Sequence, residues 1–426
     1  MFRKTTLKNG LRVITVPQEN TETVTVLVLV GTGSKYETKD ISGISHFLEH
    51  LFFKGTKEKP TALAVIEPLD KVGGVYNAFT SQECTGFYAK VEASHFELAL
   101  EWVSDILLNS TFPAKEIEKE KGVIIEEINM YYDDPRRYVQ TLWTKLLYGD
   151  QPAGWDVAGT KETVSKINRQ NLVDYVNNHY TSSSVIVCIA GKINESEGLV
   201  KVEKYFSKIK IKQTEEKLKV IEKQDKPGCL IHYKKTDQTH FCLGARGYNI
   251  FHPQKYAQEL LATILGAGGM MSNRLFTEVR EKLGLAYYIS TETDTSTDTG
   301  FLVTNAGVDN TRVEKSIQTI LKEYKKISQI KVSAQELKKA KDNIKGKTAI
   351  YLEPSDSQAS FFGFQELLEK KILTPNDFFR EIDKVSQSDI LKVAKDIFQP
   401  EKLNLALIGP FKNDEPNIRH ILANNF

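Results

Sequence analysis

Hydrophobic positions along this chain repeat in two rhythms. Short runs rich in β-branched residues, Leu11–Val16, Val24–Val30, Gly86–Val91 and Val185–Ile189, are bounded by turn formers and predict strands. Cys229–Tyr233, Phe241–Ala245 and Leu403–Ile408 play the same part in the second half. Apolar residues three and four apart predict helices over roughly Ser42–Phe53, His95–Leu108, Ala114–Tyr132 and Arg169–His179. The order is not a regular strand–helix alternation. The predicted fold class is therefore α+β: two homologous domains, each a mostly antiparallel sheet packed with helices.

The homology is legible as an internal repeat. "TGFYAKVEASHFELALEWVSDILL" starts at Thr85, and "TGFLVTNAGVDNTRVEKSIQTILK" starts 214 positions later at Thr299. Without gaps, Ala99 meets Val313, Val103 meets Ile317, Ile106 meets Ile320 and Leu107 meets Leu321. A second pair of stretches ends at Gly191 and Gly409, an offset of 218. Two long ungapped matches at nearly equal offsets favour duplication over chance likeness of helix–strand units. "IKIKQTEEKLKVIEKQDKP", from Ile209 to Pro227, is charged, glycine-free and closes on a turn signal. The expected division is residues 1–210, a linker at 211–227, and 228–426.

Composition narrows the function classes. Of 426 residues, 40% are hydrophobic and 26% charged, which is globular. A net charge of +2, with lysines spread evenly, gives no nucleic-acid face. The most apolar run, Val24–Val30, is too short to cross a bilayer, so no membrane insertion is expected. The first residues lack an export signal core. Cys84, Cys188, Cys229 and Cys242 form no CxxC pair and read as reduced thiols. The expected location is cytoplasmic.

One short segment stands apart. "GISHFLEHLFFKGT" places His46 and His50 one helical turn apart, with Glu49 on the same face. Two imidazoles at that spacing can grip one Zn²⁺, and Glu49 is placed to accept a proton from water instead of ligating. This is the inverted zincin pattern H-x-x-E-H. The competing reading, an exposed polar helix face, fits poorly, because Phe47, Leu48, Leu51, Phe52 and Phe53 crowd the segment. A catalytic zinc needs a third ligand. In "EIEKEKGVIIEEINMYYDD", Glu120 and Glu127 are seven apart on one helix line, whereas Glu126 is turned about 100° away from Glu127. A metal-facing pair is therefore better served by Glu120 and Glu127 than by Glu126.

With these residues in view, the chain resembles the pitrilysin family of zinc peptidases, in its short two-domain members related to mitochondrial processing peptidase. The likeness runs through "TLKNGLRVI", "GTGSKYE", the HxxEH segment and "GGVYNAFTSQECTGFYAKV". It continues through "EKEKGVIIEEINMYYDDP", "GWDVAGT" and "MSNRLFTEVREKLGLAYY". The resemblance implies one zinc held by His46, His50 and Glu127, with Glu49 as general base and Glu120 orienting a ligand. It implies that Arg280 and Tyr287 contact substrate and oxyanion, with Tyr288 as the neighbouring alternative. It also implies that Asn77, Ala78, Phe79 and Thr80 form an edge strand holding an extended peptide. The activity implied is a zinc endopeptidase working inside a chamber made by a dimer. Because HxxEH and the Arg–Tyr pair share one chain, a homodimer is expected, with a heterodimer as the alternative. The competing function is a non-catalytic partner subunit of a processing-peptidase-like pair.

Overall fold

The computed structural model describes residues 2–412 and 416–424. The first sheet is built from β1 (Arg3–Thr6), β2 (Arg12–Pro17), β3 (Thr23–Val30), β4 (Val75–Thr80), β5 (Thr85–Glu92) and β6 (Val185–Gly191). Its order is β1-β2-β6-β3-β5-β4. The second contains β7 (Gly228–Tyr233), β8 (Gln238–Arg246), β9 (Ala286–Thr295), β10 (Gly300–Asp309) and β11 (Leu403–Gly409). Its order is β7-β11-β8-β10-β9. In each sheet one pair is parallel, β2 with β6 and β7 with β11, and the others are antiparallel.

This is the α+β pair of homologous domains expected from the repeat. Gly191 and Gly409 close β6 and β11, each the parallel partner in its sheet. Thr85 opens β5, and Thr299 directly precedes β10. The aligned apolar positions fall on the helices Phe96–Asn109 and Val313–Gln329, where all of them are buried. Residues 211–227 form neither helix nor strand.

Contacts divide the chain into two compact units. One comprises Met1–Asn129, Trp155–Leu218 and Ile350–Leu373, and the other Met130–Gly154, Lys219–Ala349 and Thr374–Phe426. Each unit therefore includes a stretch from the other half of the sequence. In the first unit, Val24, Val26, Val28 and Val30 of β3 face a core shared with Val103 and Ile106. Leu27 and Leu29 face the opposite way, onto Ala359, Phe362 and Leu367. With apolar material on both faces, β3 and β6 are nearly continuous hydrophobic runs instead of alternating ones. The second unit repeats the plan. Val139, Leu142 and Trp143 cover Cys242, Val303, Ala406 and Ile408, and the helix Val313–Gln329 packs on the other face. Among the described residues, no helix is long and apolar enough to cross a membrane.

The helix Ser355–Phe364 is thus part of the first unit's core, tied also by Ser355 Oγ to Thr25 Oγ1 at 2.8 Å. Truncating Phe362, which is 4% exposed, leaves a void against β3. Phe362→Ala is expected to destabilise the protein by about 3–5 kcal/mol. Urea unfolding measures this, and an unchanged midpoint would contradict the packing described.

Candidate active site

Local patterning sets the orientation of α1 (Ile44–Leu51). Ile44, Phe47, Leu48 and Leu51 are buried, at helical steps of three and four. The remaining face carries His46, Glu49 and His50, all only partly exposed. Burial of one stripe therefore aims the other three side chains as a group.

The helix begins at Gly43, whose φ of +95° suits glycine. A Cβ there would also lie 2.5 Å from the Ala158 carbonyl oxygen. Gly43 offers no side-chain cap, so the free amides are met from outside the helix. The buried Glu37 carboxylate accepts from the Gly43 N–H at 2.7 Å and the Ser45 N–H at 2.8 Å. Burial pushes Glu37 up to about 7, against the pull of these hydrogen bonds.

Next along the chain come α2 (Ala62–Asp70), α3 (Phe96–Asn109) and α4 (Ala114–Asp133). On α4, Ile117, Glu120 and Ile124 are buried, and Glu127 continues the same line. Glu127 Oε2 lies 3.6 Å from His46 Nε2 and 3.5 Å from His50 Nε2. Glu126 is exposed and stands outside this cluster. One donor atom from each of His46, His50 and Glu127 falls within 4.8 Å of the others. Ligands about 2.0–2.1 Å from a tetrahedral zinc would be separated by roughly 3.3 Å. The trio therefore fits such an ion with small closure. Among the described residues, no other group of three His, Cys, Asp or Glu side chains meets the same test.

The neighbours match what a metal-ligating histidine needs. Glu120 Oε2 sits 3.3 Å from His50 Nδ1, leaving Nε2 to face the cluster. Lys54, from the tail of the HxxEH segment, pairs with Glu120 Oε1 at 2.8 Å. Burial opposes the Glu120 charge, but hydrogen bonds from His50 and Lys54 prevail and hold its carboxyl below the usual value. Burial also disfavours the His50 cation, yet its bonds to Glu120 and Glu127 outweigh this and raise it to about 9. His46 moves the other way, lowered by burial and then by the His50 charge. Its buried Nδ1 has no hydrogen-bond partner.

Glu49 receives a hydrogen bond from Thr80 Oγ1 at 2.6 Å. Thr80 ends β4, the edge strand of the first sheet, which also carries Asn77, Ala78 and Phe79. Asn77 accepts from the Ala78 N–H at 2.9 Å through its own side chain, a local bond. Phe79 packs over Gly86 of β5, where a Cβ would lie 2.2 Å from the ring.

Arg280 and Tyr287 belong to the second unit. Arg280 is exposed in a π-helical turn, Phe276–Glu281, its guanidinium 4.8 Å from the Phe276 ring centre. Tyr287 is 74% exposed. In the pairing of β9 with β10, Gly307 opposes Tyr288 and Val308 opposes Ala286, so Tyr287 is the extra residue of a bulge. Such a bulge re-aims a side chain off the sheet. Tyr288 is instead engaged by His240 Nδ1 at 3.0 Å, with Arg136 over its ring at 4.3 Å.

The structure thus gathers His46, Glu49, His50, Glu120, Glu127 and Thr80 in one place. Sequence reasoning passed over the capping role of Glu37, the Lys54–Glu120 pair and the Thr80–Glu49 bond. Lys54 carried a faint signal, lying four residues after His50 at the end of the same segment.

Comparison with known proteins agrees with this picture. Residues 12–161 match the family "Insulinase (Peptidase family M16)", and residues 166–344 match "Peptidase M16 inactive domain". An uncharacterized zinc protease of Bacillus subtilis is 36% identical over 97% of this chain and 99% of its own length. One from Rickettsia felis is 31% identical over 96% of this chain and 98% of its own. A Helicobacter pylori protease of known structure superposes with a TM-score of 0.90 at 24% identity, covering 96% of this chain and 100% of that one. With the sequence families, the relatives and the fold in agreement, the chain belongs to the insulinase or pitrilysin family of peptidases, as a short two-domain member.

Proposed function

We propose that this chain is a zinc-dependent endopeptidase that cleaves extended, unstructured peptides or presequence-like segments. The observation that carries the reading is the convergence of His46, His50 and Glu127 beside an unligated Glu49. The names of the relatives, zinc proteases, support the choice of metal. When bound, zinc supplies a Lewis acid that polarises a carbonyl and makes water acidic near neutral pH.

The remaining chemistry falls to the chain's own groups. Glu49 takes a proton from water as the water oxygen bonds to the scissile carbonyl carbon. It then gives that proton to the departing amine as the C–N bond breaks, so water and peptide become a carboxylic acid and an amine, and the acid's remaining proton passes to the amine to leave a carboxylate and an ammonium. Glu120 keeps the His50 ring oriented, and Lys54 keeps Glu120 ionised. The free edge of β4 suits a peptide held by strand addition, which reads backbone more than side chain. Tyr287, turned out by its bulge, is assigned to the developing oxyanion, and Arg280 to polar groups of the substrate. Because the HxxEH segment and these two residues lie in one chain, a homodimer is the assembly proposed for the working enzyme.

The reading is tested by metal analysis joined to a peptide digest read by mass spectrometry. Wild-type protein should carry one zinc per chain and cut an unstructured peptide. Glu49→Gln should keep the zinc and lose about 10²–10⁴-fold in rate. Full activity in that variant, or zinc-replete wild type without product, would contradict the assignment. The second result would favour a non-catalytic partner subunit. Glu127→Gln should lose the metal itself, read as zinc per chain after dialysis.

A pH dependence follows from His50. Its proton, held up to about 9 without metal, stabilises the metal-free fold below the ordinary histidine value and is lost as pH rises through 9. Zinc needs the neutral imidazole, so binding at pH 7 must expel that proton. Titration calorimetry in buffers of different ionisation enthalpy should detect proton release at pH 7, with the share from His50 fading above pH 9. Equal heats in all buffers at pH 7 would contradict it.

A further inference from the structure

Thr80 occupies an unusual position. Its main chain pairs with Thr85 on β5, and its other flank is the free edge of the sheet. Its side chain follows Ala78 to the face that packs on α1, where the hydroxyl donates to Glu49 Oε2 at 2.6 Å. A hydroxyl bonded to a carboxylate at that length is a charge-assisted hydrogen bond, stronger and more directional than a neutral one. A glutamate on a helix otherwise swings about three side-chain torsions. With Oε2 held by the strand, Oε1 is the oxygen left to receive a proton.

We propose that Thr80 is the positioning residue of the general base. Its hydroxyl selects which carboxylate oxygen of Glu49 works, and it ties that oxygen to the strand along which the peptide backbone lies. The base and the scissile bond are thereby registered to one element. This rests on the reading of Glu49 as the base. Thr80 touches Glu49 and acts through it.

The test uses the full chain, zinc-loaded, with a fluorogenic unstructured peptide. Thr80→Val keeps the branched shape and removes the hydroxyl, and Thr80→Ser keeps the hydroxyl. The valine variant should lose about 10–100-fold in kcat, the scale for partners that orient a catalytic group, with KM within about twofold. Zinc per chain should not change. The serine variant should return to within about threefold of wild type. A readout independent of turnover is peptide affinity on the Glu49→Gln background, which should be the same whether or not Thr80→Val is added.

Five results would overturn the proposal. Wild-type kcat in Thr80→Val would remove the role. A raised KM with unchanged kcat, or weaker peptide binding on the Glu49→Gln background, would make Thr80 a substrate contact only. Equal impairment in the serine variant would make it a packing residue. An active Glu49→Gln protein would sink the peptidase mechanism itself, and so is distinguishable from failure of the Thr80 role.

Discussion

Charge balance among half-buried groups is the constraint on which the site depends. Glu49, Glu120 and Glu127 bring three carboxylates to one place, and Lys54 answers one of them through Glu120. Glu49 and Glu127 both act on the two imidazoles. Without a metal the balance is met in part by a proton on His50, which its two carboxylate neighbours hold in place against burial. His46 cannot take a second proton as readily, because burial and the His50 charge both oppose it. A divalent cation offsets carboxylate charge with both rings neutral, the state in which they ligate.

The scaffold makes this crowding tolerable by fixing every participant from a packed element. Burial of Ile44, Phe47, Leu48 and Leu51 turns α1 so that its polar face meets α4. Glu37 holds the first amides of α1, and Gly43 allows the Ala158 loop to press against the helix start. Thr80 links α1 to the sheet edge. The helix Ser355–Phe364, drawn from late in the sequence, covers the reverse face of the same sheet. Order at the site therefore comes from residues far apart in the chain.

Much of this was legible in the sequence because it is local. HxxEH is a statement about one helical turn, and the preference for the Glu120 and Glu127 pair over Glu126 followed from a seven-residue step on another helix, the family resemblance then singling out Glu127. The structure puts Glu127 at the imidazoles and leaves Glu126 exposed. The strands and the repeat were readable because buried β-branched runs and amphipathic helices have distinct periods. Other features depend on tertiary proximity. An amphipathic pattern says that Phe362 or Trp143 is buried, not on which sheet. The Thr80–Glu49 and Lys54–Glu120 bonds join segments whose separation in sequence carries no period. The bulge that frees Tyr287 is a mismatch between two strands and leaves no mark on either one alone.

The most direct measurement is anomalous diffraction at the zinc edge, on crystals of the full chain grown with zinc. The account predicts one peak per chain, bonded to His46 Nε2, His50 Nε2 and a Glu127 carboxylate oxygen, with Glu49 unbonded to it. No peak at that cluster, or an ion held there by Glu126 in place of Glu127, would contradict it.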